Sequence, residues 1–69
     1  MTVSPNQIRA ARSLLGWKQA ALAHAAGVPA WVVSSIERGE PDALAHADAL
    51  TSALESKGVR FVPGGVVAA

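Results

Sequence analysis

Four glycines divide most of the chain into short segments, and each segment has the residue pattern of a helix that ends at its glycine. They are Gly16, Gly27, Gly39 and Gly58. Glycine readily adopts the left-handed backbone conformation that ends many helices. Apolar residues recur within the segments at the spacing of one helix face. The predicted helices span about residues 5–15, 18–26, 29–38 and 42–57, so residues 1–58 are predicted to form one all-α domain.

The two ends of the chain carry signals of their own. Ser4 can cap the free N–H groups of the first helix, Pro5 suits the first helical position, and Gln7 completes a capping box. Near the other end, residues 59–62 are mainly β-branched and aromatic and predict one short strand, which Pro63 ends. Residues 66–69 carry no organising signal, and we interpret residues 63–69 as a tail.

The size of the chain predicts a small core. Its 69 residues are enough for one domain, and alanine inflates the hydrophobic fraction of 51%, since there are one Phe, two Trp and no Tyr. No cysteine is present to form a disulfide. A lone strand also needs a partner strand. We therefore expect a homodimer in which the strand pairs with its symmetry mate, the alternatives being that it folds back or frays. The expected interface residues are Val59, Arg60, Phe61 and Val62.

The charge balance indicates no particular partner. Six Lys and Arg against five Asp and Glu give a net charge of +1, with an isoelectric point of about 8.4. Nucleic-acid-binding domains commonly exceed about 9, although the placement of charge matters more than its sum. No apolar run approaches the roughly 20 residues of a membrane span, and the N-terminus does not resemble a signal peptide. We expect a cytoplasmic protein.

Residues 19–38 are the most informative segment. Two short predicted helices meet at Gly27, and Ala23 places a small side chain toward that turn, where steeply crossing helices approach closely. Further apolar residues stand where they would fill the angle between the helices: Leu22, Ala26, Val28, Val33 and Ile36. This pattern is typical of a helix-turn-helix unit, whose second helix enters the DNA major groove.

The sequence resembles the phage-repressor/Cro-like (XRE-type) helix-turn-helix regulators of bacteria and their phages over about residues 7–54. The resemblance is carried by residues 8–12 (IRAAR), 15–17 (LGW), 19 (Q), 22–23 (LA), 26–28 (AGV) and, above all, 36–39 (IERG). It implies a four-helix fold that binds an inverted-repeat operator as a homodimer and regulates transcription, with repression the typical outcome. The strand after Gly58 is similar to that of small members that pair strands across a dimer axis.

The resemblance also implies roles for individual residues. Gln19 matches a glutamine that hydrogen-bonds a DNA phosphate, and Lys18 adds a cation beside it where the family usually has a capping Ser or Thr. Arg38 and Gly39 match a second region that approaches phosphates. Arg12 and Glu37 match a partly buried ion pair that joins the first helix to the third and whose role is structural.

The third helix departs from the family at the positions that read bases. The residues expected to face the bases are Ala30, Trp31, Ser34 and Ser35. None of them can make the bidentate contacts that Arg makes to guanine or Asn and Gln make to adenine. Apolar contact with thymine methyl groups and the two serine hydroxyls remain. Trp31 has three open interpretations, namely DNA contact, packing against the fourth helix or a dimer partner, and a protein-binding hot spot.

No residue pattern indicates an enzyme, a metal site or a cofactor. His24 and His46 stand on different predicted helices without further ligands at metal-binding spacing, and Ser34 and Ser35 have no nearby base to activate them. The sequence therefore predicts a homodimeric regulator that binds double-stranded DNA. The alternative is a helix-turn-helix fold that acts as a protein-interaction module, antiactivator or antitoxin-like, with weak or no DNA binding and with its partner on the third helix.

Overall fold

A computed structural model describes residues 3–68 as five helical elements followed by a β-hairpin. The elements are α1 (Pro5–Leu14), α2 (Gln19–Ala26), α3 (Ala30–Glu37), a 3₁₀ helix (Pro41–His46), α4 (Ala47–Ser56), β1 (Val59–Val62) and β2 (Gly65–Ala68). The predicted fold class, a small four-helix domain with a short C-terminal β element, is confirmed. None of the helices in this range is long and apolar enough to cross a membrane.

The start of α1 has the predicted capping box. Ser4 Oγ accepts a hydrogen bond from the backbone N–H of Gln7 at 3.2 Å, and Gln7 Oε1 accepts one from the backbone N–H of Ser4 at 2.9 Å. Two N–H groups that a helix N-terminus leaves unpaired are thereby satisfied. The first element is thus defined by contacts within four residues of sequence.

The core lies between the helices and is made of aliphatic side chains from α1, α2, α3 and α4. Seven large side chains are fully buried in the described part of the chain: Ile8, Leu22, Val32, Val33, Ile36, Leu50 and Leu54. Leu15, Trp17 and Val28 pack against this cluster and are partly buried. Val32 was not among the residues predicted to face inward. Since burial drives folding roughly in proportion to apolar area, this cluster holds the helix-turn-helix on its inner side.

The predicted fourth helix is two elements. Pro41–His46 is a 3₁₀ helix, and the α-helix begins only at Ala47. A 3₁₀ helix has about three residues per turn, so inward positions extrapolated from α-helical spacing do not carry across the junction. Ala43 is buried there, whereas Leu44, an apolar residue at α-helical spacing from Ala47 and Leu50, is 54% exposed.

The predicted strand and tail form a hairpin within one chain. β1 pairs with β2 in antiparallel register, Val59 opposite Ala68 and Val62 opposite Gly65. The two-residue turn has Pro63 at its first position and Gly64 at its second, where φ is +74°. This is the Pro-Gly chemistry of a type II turn. The interpretation of 65–68 as part of a featureless tail is wrong, and the strand folds back, which was one of the alternatives.

Two of the expected interface residues, Val59 and Phe61, face inward within the chain. Phe61 and Val59 point from β1 into the chain's own core, with 8% and 3% of their surfaces exposed. A partner subunit is therefore not needed to bury Phe61. Arg60 is exposed and Val62 half-buried, so among the expected interface residues these two have side-chain surface left for a partner.

Gln7 ties α1 to the hairpin. Besides its place in the capping box, its Nε2 donates to the backbone carbonyl oxygens of Val62 at 2.7 Å and Gly65 at 3.0 Å, on either side of the turn. One buried amide thus holds the start of the first helix against residues more than fifty positions away. The sequence analysis assigned Gln7 only its local role.

Candidate nucleic-acid interface

The predicted helix-turn-helix is formed by α2 and α3. α2 ends at Gly27, which has a φ of +71°, and the backbone N–H of Val28 closes the turn on the carbonyl of Ala23 at 3.1 Å. Pro29 then precedes the first residue of α3. No atom outside the adjacent residues lies within 4 Å of a Cβ built on Gly27. The glycine is therefore required by its backbone angle rather than by lack of space.

The start of α2 presents positive charge to solvent. Lys18 occupies the N-cap position with an exposed side chain, and that side chain makes no capping hydrogen bond. The first N–H groups of a helix point outward along its axis, and the helix dipole makes this end favourable for anions. No salt bridge involves Lys18 within residues 3–68. Its charge is thus available to a ligand.

The front of α3 is apolar and open. Ala30 is exposed, Trp31 is 56% exposed, and Ser34 is half-buried. The ring of Trp31 meets the ring of His46 edge to face, with centroids 6.3 Å apart. This contact joins the recognition helix to the 3₁₀ helix and fixes one side of the indole.

Ser35 is not on this front. It is only 8% exposed and lies on the buried face of α3, three residues after the fully buried Val32. Residues three apart in a helix share a face, so Ser35 turns inward with Val32. The expectation that Ser35 faces a base is wrong.

The end of α3 carries a buried carboxylate that α1 and α2 both contact. The Glu37 side chain is 3% exposed. Its Oε2 accepts from Arg12 Nε at 2.8 Å, and its Oε1 accepts from Arg12 Nη2 at 3.0 Å and from Gln19 Nε2 at 3.2 Å. The structure therefore brings together the Arg12–Glu37 pair that the resemblance implies, in the two-pronged geometry of a strong ion pair.

The surroundings of Glu37 lower its pKa. Burial is the largest influence and would raise the pKa, but the hydrogen bonds from Arg12 and Gln19, with the charges of Arg12 and Arg9, together outweigh it. The pKa of Arg12 is raised in return, chiefly by its hydrogen bonds to Glu37. Both groups are therefore charged at neutral pH, and the pair is an internal link among three helices.

Arg9 is a member of this cluster that the sequence analysis did not assign. Its Nη2 donates to the backbone carbonyl oxygen of Glu37 at 2.7 Å, and its Nε lies 3.6 Å from Glu37 Oε1. The carbonyl belongs to the last residue of α3, where a helix leaves carbonyl groups unpaired. Helical spacing could have indicated this contact, because Arg9 and Arg12 are three residues apart on α1 and can reach the same group.

Arg38 is paired inside the chain. Its Nε and Nη2 donate to Glu40 Oε1 at 3.1 and 2.6 Å, and its Nη1 donates to Ser34 Oγ. Both charged side chains are about half exposed. The hydrogen bond from Arg38 lowers the pKa of Glu40. Gly39, between them, is exposed with a φ of +77°. The predicted phosphate contact of Arg38 thus has an internal competitor, which the sequence analysis missed.

Among residues 3–68, no three His, Cys, Asp or Glu side chains are grouped to hold a metal ion. His46 contacts Trp31, and His24 is exposed on α2. The features that remain near α3 are an open apolar front, an anion-favouring helix start and a buried ion-pair cluster.

Comparison with known proteins gives one match. A family model described as Helix-turn-helix matches residues 8–45, more than half of the chain. No curated protein and no solved structure gives a significant match. The matched range contains α2, the turn, α3 and the Glu37 cluster, together with most of α1. The chain therefore belongs to the XRE-type (phage-repressor/Cro-like) family of helix-turn-helix DNA-binding regulators.

Proposed function

We propose that this chain is a sequence-specific transcriptional repressor that binds an inverted-repeat operator as a homodimer. The observation that carries the proposal is the contact between Gln19 and Glu37, 3.2 Å from Nε2 to Oε1. It joins the anion-favouring start of α2 to the end of α3, so that a DNA backbone bound at α2 lies beside a groove entered by α3.

Three positions provide the phosphate contacts. Lys18, which makes no salt bridge within residues 3–68, supplies a positive charge. The backbone N–H groups of the first turn of α2 supply hydrogen-bond donors. Gln19 uses one N–H of its amide on Glu37, which leaves the second N–H for a phosphate oxygen. Arg38, with Gly39 beside it, approaches the backbone at the end of α3. Such contacts set position on the duplex and carry no base information.

The residues that contact the bases are Ala30, Trp31 and Ser34. The methyl group of Ala30 and the indole of Trp31 suit thymine methyl groups, and the Ser34 hydroxyl suits several base edges. Since none of these side chains makes a bidentate contact, direct readout is weak, and we expect sequence-dependent DNA shape to contribute to specificity.

Dimerisation supplies the symmetry that an inverted repeat requires. In residues 3–68 the sheet has two strands, so each strand has one edge without a partner strand. Pairing at such an edge, with the exposed Arg60 and Val67 and the half-buried Val62 around it, would be an isologous contact. It would set two copies of α3 for successive major grooves. Size-exclusion chromatography with light scattering tests this part of the proposal.

The DNA-binding proposal is tested by salt titration of the affinity for a labelled duplex. With about four to six phosphate contacts per dimer, the log–log slope is roughly −4 to −5. Lys18→Ala is expected to weaken binding and to make the slope shallower by about 0.9 per subunit. Lys57→Ala is the matched control, since Lys57 is an exposed lysine outside the helix-turn-helix. A slope near zero for the unaltered protein contradicts DNA binding.

A second candidate function is a protein-interaction module. It is favoured by the exposure of Trp31 and Leu44, at 56% and 54%, because exposed tryptophans anchor many protein interfaces. The two candidates are separated by comparing Trp31→Ala with Lys18→Ala. Loss of DNA binding in Lys18→Ala favours the repressor. Unchanged DNA binding in both variants, with loss of a protein partner only in Trp31→Ala, favours the interaction module.

A further inference from the structure

Arg38 uses most of its hydrogen-bonding capacity inside the chain. A guanidinium has five N–H donors. In Arg38, Nε and Nη2 donate to Glu40, Nη1 donates to Ser34, and Nη2 also lies 3.4 Å from Ser35 Oγ. Four donors are thus engaged, and the positive charge is matched by a carboxylate 2.6 Å away.

The backbone holds Glu40 in position for this contact. Gly39 has a φ of +77°, and the N–H groups of Gly39 and Glu40 donate to the carbonyls of Ile36 and Ser35 at 2.9 and 3.0 Å. This is the hydrogen-bond pattern of a Schellman cap. On its other side Glu40 is followed by Pro41, whose φ is fixed. The carboxylate is therefore presented to Arg38 by a rigid chain.

Glu40 and a DNA phosphate offer the same chemistry to Arg38. Carboxylate and phosphate oxygens both accept the paired N–H donors of a guanidinium. The Arg38 and Glu40 side chains are 59% and 48% exposed, so an incoming phosphate can reach the pair. In an exposed pair the bonds exchange readily, because solvent screens the attraction.

We propose that Glu40 is an intramolecular competitor for phosphate, which weakens the contact of Arg38 with the DNA backbone and so limits affinity and salt dependence. The proposal rests on the DNA-binding function proposed above and adds to it a residue that opposes binding.

The test is a double-mutant cycle in Arg38 and Glu40, read by fluorescence anisotropy with a labelled duplex of mixed sequence. Glu40→Gln is expected to raise affinity roughly two- to fivefold, the range set by releasing an exposed ion pair. It should also make the salt slope steeper, by up to about 0.9 per subunit, because Arg38 is then fully available to phosphate. The gain should disappear when Arg38→Ala is added.

Asp42→Asn is the matched control. Asp42 is an exposed acid two residues further on, and no cation pairs with it in the described range. It reports the general effect of removing one negative charge near DNA. An equal gain from Glu40→Gln with and without Arg38, or a gain no larger than that of Asp42→Asn, overturns the competitor role and leaves DNA binding standing. Failure of the unaltered protein and all variants to bind any duplex overturns both proposals. Unfolding midpoints confirm that the variants are folded.

Discussion

Replacing Glu37 with glutamine tests how much of the fold depends on the buried ion pair. The substitution keeps the shape of the side chain and removes its charge. Arg12 then faces a neutral amide. The new NH₂ group also points at N–H donors of Arg12 or Gln19, which in the unaltered protein bond to Glu37 at 2.8–3.2 Å. Removing one partner of a buried pair costs roughly 3–5 kcal/mol.

The structure places the expected cost near the lower end of that range. The Arg12 side chain keeps 18% of its surface exposed, and its Nη1 keeps a hydrogen bond to the carbonyl of Trp17 at 2.8 Å. We therefore expect a loss of about 3 kcal/mol. At 0.05–0.15 kcal/mol per residue, the whole chain has about 3.5–10 kcal/mol of stability. The unfolding midpoint should fall by roughly 12–24 °C, at about 4–8 °C per kcal/mol for a domain of this size.

Thermal and urea unfolding followed by circular dichroism measures this effect. Glu40→Gln is the control, because it is the same chemical change in an ion pair that solvent reaches, and its midpoint should stay close to that of the unaltered protein. A decrease of less than about 4 °C for Glu37→Gln, equivalent to roughly 1 kcal/mol, refutes the reasoning. It would mean that solvent screens the cluster despite the 3% exposure of Glu37.

Three further predictions concern the same fold. Because the pKa of Glu37 is lowered in the folded state, its contribution to stability is present above the ordinary glutamate pKa and is lost as the pH falls through the folded-state pKa. Unfolding midpoints measured against pH should show this loss of stability in the unaltered protein and a smaller loss in Glu37→Gln. Gln7→Leu removes the hydrogen bonds of Gln7 to Val62, Gly65 and the N-cap Ser4, and it should lower the free energy of unfolding in urea by roughly 2–3 kcal/mol. Amide hydrogen exchange in the hairpin should become faster. Unchanged exchange there would contradict the role of Gln7 in holding α1 against the hairpin. Gly27→Ala should cost about 1–2 kcal/mol, the strain of a positive φ, since nothing lies within 4 Å of the added methyl group; a much larger loss of unfolding free energy would indicate a steric clash instead.

The sequence predicts the elements whose causes are local. The Ser4–Gln7 capping box and the glycine that ends α2 depend on residues within a few positions of each other, and their signals are specific. The same holds for the apolar spacing of α1 and α2. Where the local geometry changes, as in the 3₁₀ helix before α4, the extrapolated spacing fails and Leu44 turns outward.

The candidate site is predicted less completely. Resemblance to the family identifies Arg12, Glu37 and Gln19, which the structure brings into contact. It does not identify Arg9, whose partner Glu37 is 28 residues away and is set by the packing. It does not identify Glu40 either, because a charged residue in a loop is usually solvated. The prediction that Ser35 faces a base is wrong for a related reason, because the place of Ser35 on the buried face depends on how α3 is rotated against the core.

What the sequence by itself determined is approximately where the first three helices begin and end, that a glycine turn joins two of them, and which family the chain belongs to. Only the tertiary structure decided which distant groups meet. It assigned the Gln7 amide to carbonyls 55 and 58 residues away, and it brought Arg12 and Arg9 of α1 to Glu37, which lies 25 and 28 residues further along the chain. Helix caps and turns depend on neighbours along the chain, whereas these contacts depend on how completed elements pack, which no local pattern encodes.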